Sequence, residues 1–191
     1  GAQFWSVWIS PAEAQRDANI AELALSAGMA EAGGYNRLVI FGDSLSDPGN
    51  FNAAFGLYTV APYAPIPPAP YAVGGMHFSN GPTWVEQLAT DMHLRTSAGS
   101  AIRSPGVASN YAVGGARART GAEAFPYFDL STQTSLFIGQ GLPDPEQALY
   151  VIWIGGNDER DALAAAFTGG DVGAIIGAAV TATAQNIQAL W

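Results

Sequence analysis

Three short stretches of the sequence place residues able to activate a carbonyl at the ends of apolar runs. In RLVIFGDSLSDPGN, Arg37 to Asn50, the apolar residues Leu38 to Phe41 stop abruptly at glycine, aspartate and serine. The run has the length and β-branched content of a strand buried on both faces, and turn and helix-start residues follow it. Ser44 at such a strand end is a candidate nucleophile, its hydroxyl exposed and its own N–H turned toward the charge developing on a carbonyl oxygen. In NYAVGG, Asn110 to Gly115, an apolar segment ends in glycines, so Gly115 offers a second N–H donor with no side chain in the way. In LYVIWIGGND, Leu149 to Asp158, Asn157 offers a third donor through its side-chain amide. Together the three would form an oxyanion hole around an ester carbonyl attacked by Ser44. Each also has an ordinary reading: a helix cap for Ser44, a packing or turn glycine for Gly115, a turn residue for Asn157. Their placement in order, each at the end of an expected strand, favours the chemical reading.

The elements that must hold these residues alternate. Ser10-Pro11-Ala12-Glu13 has the form of a capping box and opens an expected helix from about Pro11 to Glu31, ended by Gly33-Gly34. A short helix is expected near Phe51 to Phe55, and further helices over Pro82 to Leu94, Glu159 to Phe167 and Val172 to Trp191. Between them, YTVAPYAPIPPAPYAVGG (Tyr58 to Gly75) is too rich in proline for a regular helix and reads as an extended excursion, either a roof over a cleft or a mere insertion. Strands alternating with helices imply an α/β fold with a parallel sheet covered on both faces, and ligands gather beyond the carboxyl ends of such strands.

Composition narrows the class. A chain of 191 residues fits one domain with a substantial core. Sixteen acidic residues against seven basic ones, all arginine, give a formal charge of -9, which repels nucleic acid and anionic lipid. There is no cysteine, so disulfides and thiolate metal sites are excluded, and two separated histidines suggest no metal cluster and no cofactor. Val172 to Ala184 is apolar but shorter than a bilayer span and reads as a packed helix. The first ten residues lack the basic start and long apolar centre of an intact secretory signal, though a removed signal would leave no trace.

The stretches FGDSLSDPGN (Phe41 to Asn50), NYAVGGARA (Asn110 to Ala118) and WIGGND (Trp153 to Asp158) resemble the GDSL family of the SGNH-hydrolase superfamily. A fourth, FSNGPTWVEQLA (Phe78 to Ala89), is similar to one in the larger bacterial and plant esterases and lipases. The resemblance runs from Arg37 onward, so residues 1–34 are expected to be an amino-terminal extension and residues 35–191 the hydrolase domain. It implies a flavodoxin-like, doubly wound three-layer α/β/α sandwich and hydrolysis of carboxylic esters through an acyl-enzyme on Ser44. The oxyanion donors it implies are the backbone of Ser44 and Gly115 and the side chain of Asn157, with Gly114 as the alternative to its neighbour. Asp43 and Asp47 read as turn and helix-start carboxylates, not as the acid of a triad.

The family takes its base from an Asp-x-x-His segment near the carboxyl terminus. His77 is preceded at that spacing by Gly74 and His93 by Thr90, so neither fits. The expectation is therefore an amino-terminal portion of the enzyme, lacking the last strands and the base, with the remainder on a missing carboxyl-terminal segment or a second polypeptide. An acyltransferase, a carbohydrate deacetylase and a non-catalytic binding fragment are the alternatives. The implied partner is a small-molecule or lipid ester, and the implied location is secreted or at the cell surface.

Overall fold

The computed structural model describes residues 4–6, 34–55, 77–79, 81–120, 128–142 and 145–191. The expected helix from Pro11 to Glu31 and the proline-rich stretch from Tyr58 to Gly75 lie outside them. Three parallel strands form the sheet: β1 (Phe4–Ser6), β2 (Arg37–Gly42) and β3 (Ala148–Trp153), in the order β1-β3-β2. The two expected apolar runs thus lie side by side, with Arg37 opposite Ala148 and Gly42 opposite Trp153. β1, which the sequence reading did not anticipate, pairs Phe4 with Tyr150 and Ser6 with Ile152.

Side chains alternate across the strands, so each run feeds two cores. Val39, Phe41, Tyr150 and Ile152 pack on one face with Tyr111, Leu130 and Phe137. Leu38 and Ile40 pack on the other with Val85, Ala89 and Ala98, and Leu149 and Val151 flank them. Leu38, Ile40 and Phe41 have no accessible surface, and burying each stabilises the fold by about 1.5–3 kcal/mol.

Five helices are described: α1 (Asn50–Phe55), α2 (Trp84–Asp91), α3 (Leu130–Gln140), α4 (Gly156–Thr168) and α5 (Val172–Leu190). α2 covers the Leu38–Ile40 face through Val85 and Ala89, and α3 and α5 cover the other through Leu130, Phe137, Ile187 and Leu190. The molecule is a mixed α/β structure with a small parallel sheet.

One expected strand takes a different form. Asn110–Gly115 lies beside β2, with Tyr111 N donating to Ile40 O (2.7 Å) and Val113 N to Gly42 O (3.1 Å), but only the bridge of Asn110 with Ile40 and Ser100 is regular. Side chains take the groups a longer ladder needs. The Asn110 side chain accepts from Ala112 N (3.0 Å), and the Asn50 amide donates to Asn110 O (2.7 Å) and Ala112 O (2.9 Å).

Candidate active site

The turn after β2 is fixed from below. Gly42 lies so close to β3 that a Cβ there would come within 2.6 Å of Trp153 O, which leaves room only for glycine. The buried Gln133 of α3 accepts from Gly42 N (2.9 Å) and donates to Gly42 O (2.8 Å), gripping the strand at its last residue. Asp43 is buried and accepts from Leu45 N (3.0 Å), closing the turn around Ser44. Ser44 itself is half-buried, and neither its hydroxyl nor its N–H has a hydrogen-bond partner among the described residues.

Asp47 then organises the next segment. Its carboxylate accepts from Gly49 N (2.7 Å), Asn50 N (2.5 Å) and Phe51 N (3.1 Å), capping α1, and from Gly114 N (2.8 Å) across the edge. Asp43 and Asp47 thus serve as turn and helix-start carboxylates, as their spacing suggests. Burial pushes Asp43 up to about 6, a backbone hydrogen bond from Leu45 opposing and the charge of Asp158 adding to it. Burial likewise raises Asp47 to about 6 against the four backbone N–H groups that favour its charged form.

The two adjacent glycines differ sharply. Gly114 gives its N–H to Asp47, and a Cβ there would stand 2.2 Å from the Phe78 ring. Gly115 is exposed, has φ +82°, and its N–H has no partner among the described residues. Asn157 lies in the first turn of α4, which begins at Gly156 rather than at the expected Glu159 because Gly155, at φ 123°, turns the chain sooner. Its amide donates to Ala116 O (2.8 Å), which spends one of two N–H bonds and ties α4 to the residue after Gly115. The three segments carrying Ser44, Gly115 and Asn157 therefore meet at one edge, beyond the carboxyl ends of adjoining chains.

The histidines lie elsewhere in the hydrogen-bond pattern. His77 is buried, with Nε2 3.3 Å from Glu86 Oε1, while Glu86 Oε2 accepts from the N–H and hydroxyl of Thr83 (2.7 and 2.8 Å) in the capping box of α2. The Glu86 hydrogen bond raises the His77 pKa, with burial opposing it. Burial alone would raise Glu86, and its bonds from His77 and Thr83 outweigh that and lower it. His93 is exposed just beyond α2, at φ 60°. Among the described residues no group of three or more His, Asp or Glu side chains is placed to hold a metal ion. A groove of about 480 Å³ beside α2 and one of about 360 Å³ between Ala54, Tyr111 and Phe128 are not lined by Ser44.

The sequence reading missed the residues that hold this edge in place. Asn50 and Asn110 are fully buried and cross-link it: Asn50 Oδ1 accepts from Ser100 Oγ (2.5 Å), and the Asn110 amide donates to Ser46 O (2.9 Å). Both stood inside the motifs, and a polar side chain directly ahead of an aromatic residue, Phe51 or Tyr111, was the available signal. Gln133 had none, because nothing in its own stretch points to the sheet.

Residues 38–190 match the family described as GDSL-like Lipase/Acylhydrolase. The chain is also similar to a phosphatidylcholine-sterol acyltransferase of Aeromonas hydrophila, 32% identical over 125 residues that make up 65% of this chain and 33% of the relative. It thus spans about a third of the length of that curated relative. With the family match covering β3 and β2 from Leu38 onward, the serine turn and the helix bearing Asn157, the chain belongs to the GDSL-like lipase/acylhydrolase family.

Proposed function

We propose that this chain carries the nucleophile and oxyanion donors of a serine esterase or lipase that cleaves carboxylic esters. The family supports an esterase- or lipase-type activity or an acyl transfer. The observation that carries the reading is the state of the backbone donors. Gly114 has committed its N–H to Asp47, whereas the N–H groups of Ser44 and Gly115 are uncommitted on the edge that Asn157 also borders. Preorganised donors of this kind lower the barrier because they are already aimed when charge develops.

In the proposed reaction Ser44 Oγ attacks the ester carbonyl carbon as its proton passes to a base, and the carbonyl oxygen becomes an oxyanion held by Ser44 N, Gly115 N and Asn157 Nδ2. The tetrahedral intermediate then expels the alcohol, which takes up the proton, and water releases the acid by the same route. The pairing of His77 with Glu86, the exposure of His93 and the lack of an Asp three residues before either favour a base from outside these 191 residues, on an Asp-x-x-His segment that follows or on a second polypeptide. That segment would also complete a flavodoxin-like sheet, and secretion or cell-surface display is part of the same proposal. The Phe78 ring against Gly114, in a row of ring contacts with Phe51 (5.5 Å), Phe55 and Phe128, supports an apolar acyl group.

In the complete enzyme Ser44→Ala abolishes hydrolysis of short p-nitrophenyl esters, and Asn157→Ala lowers turnover about a hundredfold. Unchanged turnover in either variant removes that residue from the mechanism. A second reading, acyl transfer to an alcohol, is favoured by the relative, whose name describes an acyltransferase. Product analysis with an added alcohol acceptor separates the two, and acetate release from acetylated sugars would point instead to a carbohydrate deacetylase. A folded chain that stays inactive beside its Asp-x-x-His segment would be a binding fragment.

A further inference from the structure

Gly115 occupies an open position: nothing lies within 4 Å of where its Cβ would stand, so no packing acts on that side of it. The next residues, by contrast, are bonded to the helices on either side, most of all to α4. Ala118 N and Arg119 N donate to Asp158 of α4 (2.8 and 3.4 Å), and Arg119 Nε stands 3.3 Å from the same carboxylate. One turn further along α4, Asp161 receives Arg117 through two nitrogens (2.5 and 3.1 Å) and Arg119 through another. Asp158 and Asp161 can share this task because residues three apart lie on one helix face. Arg117 also reaches back, donating from Nη1 to Gly115 O (3.3 Å) and from its backbone N to Asp129 (3.1 Å).

The helix that receives these arginines is the one whose first turn presents Asn157. Two of the three donors, on segments far apart in sequence, are thereby referred to a single frame. We propose that Arg117 and Asp161 are positioning residues that, through α4, set the direction of the Gly115 N–H relative to the Asn157 amide so that both donors meet one oxyanion. This role rests on the ester-hydrolase reading of the site. The bidentate fork matters here, because it fixes orientation as well as distance, which a point charge does not.

A latch that only stabilised the fold would leave the chemistry of folded molecules untouched. A positioning latch acts through the same interaction that Asn157 makes, so removing both cannot cost the product of the two losses. In the complete enzyme, with a short p-nitrophenyl ester, Asp161→Asn lowers kcat about tenfold with KM within about twofold, since small misplacements of catalytic groups cost one to two orders of magnitude. In an Asn157→Ala background the same change costs less than about twofold. Thermal midpoints taken alongside identify the folded variants. Should Asp161→Asn fail to fold, Arg117→Lys replaces it, keeping the charge without the fork, with the same pattern expected.

Losses that multiply, or a lowered midpoint with kcat intact, overturn the positioning role. The underlying reading fails separately: hydrolysis that survives Ser44→Ala removes the esterase mechanism, and the latch's role with it. An inactive Ser44→Ala variant beside multiplying losses overturns the latch alone.

Discussion

At the carboxyl edge of the sheet Asn50, Asn110, Asp47 and Gln133 are completely buried, and each bonds to the backbone of other segments. Along the α4–α5 hairpin, by contrast, Leu163, Phe167, Val180 and Trp191 are apolar and exposed, Phe167 at 83% and Trp191 at 75%. The first region is specified by directional bonds whose partners are all supplied, which admits one geometry. The second, although α5 meets α3 through Thr134 and Asn186, tolerates apolar surface facing outward. Buried polar networks are costly unless satisfied and then rigid, which suits the oxyanion role proposed for that edge.

The contrast is broken or sharpened most strongly at Asn50. Asn50→Ala leaves Ser100 Oγ, Ile102 N, Asn110 O and Ala112 O without that partner and costs about 3 kcal/mol or more in urea unfolding. A cost under about 1 kcal/mol would mean that the edge does not depend on its polar cross-links.

Next in size is a pH effect confined to the edge. Asp43 keeps its proton up to about pH 6 when folded but loses it near 3.8 when unfolded, so its contribution makes unfolding free energy fall as pH rises from about 4 to 6. The share of Asp43 in that fall is at most about 3 kcal/mol, and Asp43→Asn removes that share while leaving the one from Asp47, which burial also raises to about 6. Asp161, lowered by its bond to Arg117, acts oppositely: its stabilisation is present above its unfolded pKa and is lost as pH falls through the lower folded value. A stability profile that rises between pH 4 and 6 and is unaltered by Asp43→Asn would contradict the assignment. The smallest effect belongs to the hairpin, where Phe167→Gln changes stability by no more than about 0.5 kcal/mol, checked by the same unfolding curves.

The same division governs how far the sequence alone is legible. β2 and β3 were legible because Leu38 to Phe41 and Leu149 to Ile154 are apolar on both sides, and α2 and α5 because their lengths and breaks are plain. α3 was missed because its pattern is mixed: Gln133 and Thr134 face inward beside Leu130 and Phe137, while Leu136 and Ile138 are exposed at 38% and 54%. Thr134 meets Asn186 of α5 (2.5 Å), so the helices share a polar seam where periodicity predicts an apolar one. At the site, the placement of Ser44, Gly115 and Asn157 just after apolar runs was legible from the order of apolar and turn residues, and their chemical roles belong to the proposal above. The different states of the two N–H groups, Gly114 bonded and Gly115 unbonded among the described residues, were not legible, since they turn on Asp47 and Phe78, which only the fold brings to Gly114.

The order of the strands also bears on how the chain is made. β3 is the middle strand, yet it is synthesised last, and its partners Phe4 and Arg37 emerge from the ribosome long before Tyr150 and Ala148. At roughly 5–20 residues per second, β2 waits on the order of ten seconds for its central neighbour. During that time the exposed Leu38–Phe41 run is available to chaperones and to other nascent chains. Assembly of the sheet must close through contacts remote in sequence, the slow kind, so yield in the cell will depend on how well this interval is protected.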